Sequence, residues 1–347
     1  MSKVTIYDVA KAAHCSTATV SLALNKSDRI KPETQQHVMN VVKKLGYKPN
    51  YIAQSLSMKS TNTLGIIVPN IENPLFSKMI AGVEEFASLN EYNLILGISN
   101  SSYEKENFYL DMLQRKRIDG LVLFPTYIDS VIEQIQNSSN SKTPIVLCGS
   151  SGKNSSQISY VKCDNRIGSY LAAKHLIEIG CSKIGCIFPI YDKQQYTSRL
   201  SGYQDALYYN GIAFSESLIK ECAPDDSSIY NATLELLNEQ KPDGIFCLYD
   251  FAAISVMRAI LSLGLNIPDD VVLIGYDNIN ISKFLPISLS TIDTHGAEVG
   301  RRAAEILIRM ITKPETPVRQ IVLKPSLVVR ESTTKANVKS SPSYKQS

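Results

Sequence analysis
The residues whose types and spacing could do chemistry begin at residues 5–25, TIYDVAKAAHCSTATVSLALN. Their chemistry is hydrogen bonding rather than bond making. Ser16 can cap a short helix in which Val20, Ala23 and Leu24 point inward. Thr17, Ala18, Ser21 and Leu22 then point outward. A short helix with a small, hydroxyl-bearing outer face has the shape to enter the major groove of DNA. By contrast, the four histidines (14, 37, 175, 295) show no metal-ligand spacing, and no nucleophile stands beside a base.

The elements that must position this face can be read locally. Thr5 is an N-cap, and Asp8 three residues later can reach back as in a capping box. Ile6, Val9, Ala10 and Ala13 make one apolar face. His14-Cys15 interrupts the pattern, and the alanines allow the close approach that a helix-turn-helix needs. A third helix follows Pro32, with Val38, Val41, Val42 and Leu45 at helical spacing and Gly46 as its stop. Residues 1–60 hold nine Lys/Arg against three acids, a balance of +6 in a chain that is +3 overall. The positive charge sits where phosphates would be met. A three-helix bundle with a solvated basic face is the plain alternative.

Next, Asn50 can cap residues 51–58, but eight residues are too few for a stable isolated helix. The order TIYDVAKAA, STATVS, ALN, YKPN and AQSL resembles the LacI/GalR family of bacterial transcription regulators. The resemblance runs to about Glu331. It implies a small all-α helix-turn-helix domain (1–48), a hinge helix and linker (49–61), and a homodimer on a near-palindromic duplex. It also implies that Leu56 of the paired hinge helices wedges into the minor groove; a leucine buried between linker and core is the alternative. Thr17, Ala18 and Leu22 would read bases, and Tyr7, Ser16, Thr19, Ser21, Asn25 and Arg29 would hold phosphates. Many members carry arginine where Leu22 stands, so readout there should differ.

From residue 63 onward, apolar β-rich runs alternate with helical patterns. Strands are expected at 64–68, 93–99, 120–124, 145–148, 183–188, 244–248 and 271–276. Helices are expected at 74–90, 104–116, 166–180, 198–210, 228–240 and 251–264. Such alternation means parallel sheets in two α/β lobes. The resemblance implies the periplasmic-binding-protein type I fold over 62–331, with crossings near Asp164, Thr291 and Pro325. Lobe 1 would take about 62–163 and 292–324, and lobe 2 about 164–291 and 325–331. The polar tail 332–347 should be disordered.

Ligands of such folds bind between the lobes, at strand C-terminal ends. Candidate contacts are Asn73 and Phe76 in NIENPLF, Arg199 in TSRLSGY, Tyr249 after a strand, and Asp277 in IGYDN. The resemblance implies that Phe76 stacks on a sugar, that Arg199 bonds ligand hydroxyls or carboxylates, and that Asp277 accepts from ligand hydroxyls. Plainer roles are lobe core for Phe76, a surface ion pair for Arg199 and a turn cap for Asp277. Asp250 reads as the N-cap of the helix after it. Many members have asparagine where Tyr249 stands, and an aromatic in the loop matching 223–226; this chain has neither. A sugar or sugar derivative is the implied effector, with a nucleobase or partner protein as alternatives.

The seven cysteines are odd in number and scattered, which suggests reduced thiols. There is no signal-peptide pattern and no apolar run near 18 residues, so a soluble, cytoplasmic protein without a membrane role is expected. No cofactor and no metal are expected. The expectation is a repressor and not an enzyme, since catalysis would need a constellation that is missing.

Overall fold
The chain divides into two units, Met1–Thr61 and Asn62–Ser347. The computed structural model describes residues 4–24, 29–47, 60–114, 118–137, 144–149, 155–190 and 193–334. In the first unit, Thr5 caps α1 (Ile6–Ala12): its hydroxyl accepts from Asp8 N–H, and Asp8 reaches back to Thr5 N–H at 2.8 Å. His14 turns the chain at φ +51°. Ser16 accepts from Thr19 N–H at 3.0 Å and opens α2 (Thr17–Leu24). Pro32 starts α3 (Pro32–Leu45), and Gly46 ends it at φ +63°. Val9, Ala10, Ala13, Val20, Ala23, Val38 and Val42 form the core.

The second unit holds two parallel sheets. The first sheet has the order β11-β5-β4-β3-β1-β2, that is Gln320–Leu323, Ser159–Cys163, Ile145–Cys148, Gly120–Leu123, Thr63–Val68 and Asn93–Ile98. The second has β7-β6-β8-β9, that is Ile219–Cys222, Ile184–Pro189, Gly244–Cys247 and Val272–Ile274. A parallel sheet must be covered on both faces. Leu64, Ile66 and Val68 of β1 accordingly pack with α4 (Pro74–Leu89) and α11 (Gly296–Thr312). Ile67 belongs to the opposite face, with Leu110 of α5 (Tyr103–Gln114) and Val131 and Ile132 of α6 (Ile128–Asn137). In lobe 2, α7 (Asn165–Glu178), α8 (Lys193–Tyr209), α9 (Asp226–Gln240) and α10 (Asp250–Ser262) enclose the second sheet.

The pairing of α4 with α11 depends on two glycines. A Cβ on Gly82 of α4 would lie 2.0 Å from Ala297 O of α11, and one on Gly300 would lie 2.0 Å from Met79 O. The two backbones meet where no side chain fits.

The chain passes between the sheets after β5, around β10 (Thr291–Asp293) and around β12 (Ser326–Val328); β10 and β12 pair antiparallel. Several local expectations change. Strands β5, β7 and β11 and helix α6 were not foreseen, and α8 begins at Lys193 rather than 198. The first part of the tail is ordered. Ser332 and Thr333 are buried, with Ser332 Oγ donating to Leu273 O at 2.6 Å and Thr333 Oγ1 bonded to His175 Nε2 at 2.9 Å. Their hydroxyls replace water as partners, so polarity there does not mean disorder. Residues 335–347 lie outside the described set.

Candidate functional site
Two sites arise, one in each unit. In the first unit, the outer side of α2 and its entry turn carry the groups expected to face DNA. Tyr7 is 74 % exposed, Ser16, Ala18 and Arg29 are exposed, and Thr17, Thr19, Ser21 and Leu22 are half-buried. The Ser16 and Thr19 hydroxyls bond each other at 2.9 Å. Val20 and Ala23 are buried, which turns α2 as its small outer face requires. Asn25 and Leu56 lie outside the described residues.

In the second unit, the C-terminal ends of strands from both sheets border a cleft of about 850 Å³, open mouth included. It is lined by all five expected residues: Asn73, Phe76, Arg199, Tyr249 and Asp277. Asn73 caps α4, its side chain accepting from Leu75 N–H at 3.0 Å. Phe76 stands edge-on to Phe124, ring centroids 6.0 Å apart, and makes the lobe 1 wall apolar.

The opposite wall is polar. Arg199 Nη2 lies 3.4 Å from Asp277 Oδ1, with both side chains buried. Its Nη1 donates to Leu248 O and its Nε to Asn165 Oδ1 at 3.4 Å. The guanidinium carbon lies 3.9 Å from the Tyr276 ring centroid and 4.5 Å from that of Tyr249. Arginine suits this slot because a planar cation stacks on aromatic faces while its edge donates. The surface-pair alternative for Arg199 fails, since its acid is buried beside it.

Burial pushes the Asp277 carboxyl up to about 7, with the Arg199 charge pulling the other way. Its backbone sits at φ +105°, a region disfavoured for non-glycine residues. The neighbouring acid, Asp250, does not cap α10; that position is Tyr249. Asp250 is fully buried and accepts from Thr291 Oγ1 at 2.6 Å, Ser282 Oγ at 2.7 Å and Ile279 N–H at 3.0 Å. Burial raises it to about 6 against those bonds. It is a tie between segments, a role that local spacing does not reveal.

Thr126 and Thr294 were missed. Both line the cleft, and each carries a buried hydroxyl oxygen without a hydrogen-bond partner among the described residues. Thr294 directly follows β10, so the strand-end rule could have found it. Cys148 and Cys163 also line the cleft. Burial raises both thiols, Cys163 to about 12, so neither is a thiolate nucleophile at neutral pH. None of the seven cysteines forms a disulfide. Among the described residues no cluster of three His, Cys, Asp or Glu could hold a metal, and no helix is long and apolar enough to cross a membrane. The cleft can therefore bind and orient a small molecule through hydrogen bonds and one apolar wall.

Comparison with known proteins agrees with the folds of both units. Residues 5–50 match the family described as bacterial regulatory proteins, lacI family, and residues 173–333 match the periplasmic binding protein-like domain. The HTH-type transcriptional repressor PurR of Vibrio campbellii is 33% identical over 334 residues, 96% of this chain and 99% of that protein. The ribose operon repressor of Haemophilus influenzae is 34% identical over 337 residues, 94% of this chain and 98% of that protein. A LacI family transcriptional regulator from Enterococcus faecium, solved with bound ribose, superposes with TM-score 0.69 at 27% identity, covering 78% of this chain and 98% of that one.

Proposed function
This chain belongs to the lacI family of bacterial regulatory proteins and is a DNA-binding transcriptional repressor rather than an enzyme; we propose that it acts as a homodimer on a near-palindromic operator under the control of a neutral, pentose-like sugar bound in the cleft. The carrying observation is the Arg199–Asp277 pair. Ionised Asp277 balances the guanidinium charge, so above about pH 7 the cleft wall offers donors and acceptors without net charge. A phosphorylated or carboxylated ligand would need an unbalanced cation. Hydroxyl groups suit Asp277, Thr126, Thr294 and Asn73, while the apolar wall at Phe76 and Phe124 suits the C–H face of a sugar ring.

The ribose operon repressor and the ribose-bound regulator among the relatives support a pentose. Dimer formation is supported by Ile95 and Leu96, exposed apolar residues of β2 at the edge of the first sheet. An open edge with exposed apolar side chains is what a partner strand or helix covers. Operator binding follows from the basic balance and small face of α2 in the first unit. Thr17, Ala18 and Leu22 would meet base edges, while Tyr7, Ser16, Thr19, Ser21, Asn25 and Arg29 would meet phosphates and Leu56 would enter the minor groove.

A thermal-shift series against D-ribose, D-ribose 5-phosphate and hypoxanthine tests the ligand class. D-ribose should raise the melting temperature and the phosphate should not. A larger shift with the phosphate or with hypoxanthine would replace the pentose reading.

A further inference from the structure
The connection from β3 to α6 supplies an apolar and a polar part of the cleft in quick succession. Phe124, whose N–H donates to Ile67 O at 2.9 Å, stands edge-on to Phe76 in the apolar wall. Pro125 follows, with no N–H to anchor the next step. Thr126 then lines the cleft, and its buried hydroxyl oxygen has no hydrogen-bond partner among the described residues. What fixes Thr126 comes from another element. Glu106 Oε1, on α5, accepts from Thr126 N–H at 2.8 Å.

Glu106 itself does not line the cleft. It stands one helical turn before Leu110, on the face of α5 that packs into the first lobe. The residue is 0 % exposed, and its Oε2 has no hydrogen-bond partner among the described residues. Burial raises its carboxyl above the usual glutamate range, while the N–H groups of Thr126 and Tyr127 and the nearby Thr126 hydroxyl pull it back. A carboxyl so placed costs stability, where a methionine of similar size would pack without that loss. Packing of α5 therefore does not account for an acid here. The bond to the segment that enters the cleft does.

We propose that Glu106 is a positioning residue of the cleft: by holding the Thr126 main chain it aims the Thr126 hydroxyl at one hydroxyl of the bound sugar, and so makes that sugar hydroxyl a requirement for binding. This rests on the pentose reading above. A ligand that lacks the matching hydroxyl leaves a buried Thr126 oxygen unpaired. Sites built to bond a ligand hydroxyl discriminate strongly against the analogue without it. With no acceptor at position 106, residues 125–127 lose this tie and the Thr126 hydroxyl loses its fixed direction.

The experiment uses full-length wild type, Glu106→Met, Glu106→Gln and Thr126→Val. Calorimetry at about pH 8, where Asp277 is ionised, gives Kd for D-ribose and for analogues that each lack one hydroxyl. In wild type, the analogue lacking the matched hydroxyl should bind at least about tenfold more weakly than ribose. In Thr126→Val that penalty should fall below about threefold, because the partner oxygen is gone. Glu106→Met fills the same space without an acceptor. It should lose the same penalty and keep the wild-type penalties for the other analogues. Glu106→Gln retains an acceptor for Thr126 N–H and should keep the penalty within about threefold of wild type. A folding defect lowers the binding stoichiometry and leaves the ratio of two Kd values alone, so it cannot imitate this pattern. A methionine variant with the full penalty for the analogue that Thr126→Val tolerates overturns the proposal. Unchanged penalties in Thr126→Val, or a glutamine variant no better than methionine, overturn it too. A wild type that does not bind D-ribose overturns the pentose reading and the proposal with it.

Discussion
Arg199 and Asp277, 78 positions apart, meet at 3.4 Å inside the cleft with neither side chain exposed by more than 2 %. Each leaves the other uncompensated if removed. Breaking such a buried pair costs about 3–5 kcal/mol. Arg199→Met and Asp277→Asn should each lower the unfolding midpoint in urea and abolish the ribose thermal shift. Arg199→Lys should fail almost as badly, because an ammonium cannot fill the slot between Tyr249 and Tyr276 while donating to Leu248 O. A lysine variant with wild-type ribose affinity would refute that geometry.

The same acid sets a pH dependence. Burial holds Asp277 at about 7, and a ligand hydroxyl that donates to it needs the carboxylate. Ribose affinity should therefore rise from about pH 6 to about pH 8 and level off above. Fold stability moves the opposite way. An acid whose folded pKa lies above its ordinary 3.8 stabilises fully below that value and loses the contribution as pH rises to about 7. Asp250, held at about 6, adds to the same trend. Calorimetric titration across this range checks the first effect.

Helix packing offers a test independent of ligand. Gly82→Ala places a methyl group where Ala297 O already lies 2.0 Å away, and Gly300→Ala meets Met79 O at the same distance. Overpacking of this kind costs about 1–3 kcal/mol. Denaturant melts should show the loss for each substitution. A neutral result would mean that α4 and α11 separate more easily than their shared core allows.

At the exposed β2 edge, Ile95→Lys should weaken self-association, since a charge would replace apolar area at the proposed dimer contact. Sedimentation velocity at micromolar protein should show a shift toward monomer. An unchanged sedimentation coefficient would place the dimer contact elsewhere.

On the DNA side, half-buried Leu22 can offer a base only apolar contact, such as to a thymine methyl, whereas arginine can pair with guanine. Selection from random duplex with wild type and Leu22→Arg should give different half-sites. Identical preferences would show that position 22 does not read a base.

Much of the scaffold was legible because its signals are local. The Thr5–Asp8 capping box, the Ser16 cap, Pro32 and Gly46 each act within one helical turn. Fully buried runs such as β1, β3 and β8 announced the parallel sheets. Strands β5, β7 and β11 were hidden by Lys162, Glu221 and Gln320, polar residues in short strands away from the centre of a sheet. Helix α6 was overlooked although Ile128, Val131, Ile132 and Ile135 carry the helical period. Strand-end position together with the family resemblance brought the five cleft residues into view, Arg199 standing within α8. The pairing of Arg199 with Asp277, the ties of Asp250 and the burial of Ser332 and Thr333 all join distant segments, and no local spacing encodes them.

The most direct measurement is the affinity of full-length protein for a selected near-palindromic duplex, with and without saturating D-ribose, in wild type and Asp277→Asn. Ribose should change the wild-type Kd at least about fivefold and leave the variant's Kd where it was. Equal shifts in both proteins, or a wild-type Kd that ribose does not move, would contradict control of DNA binding through this cleft.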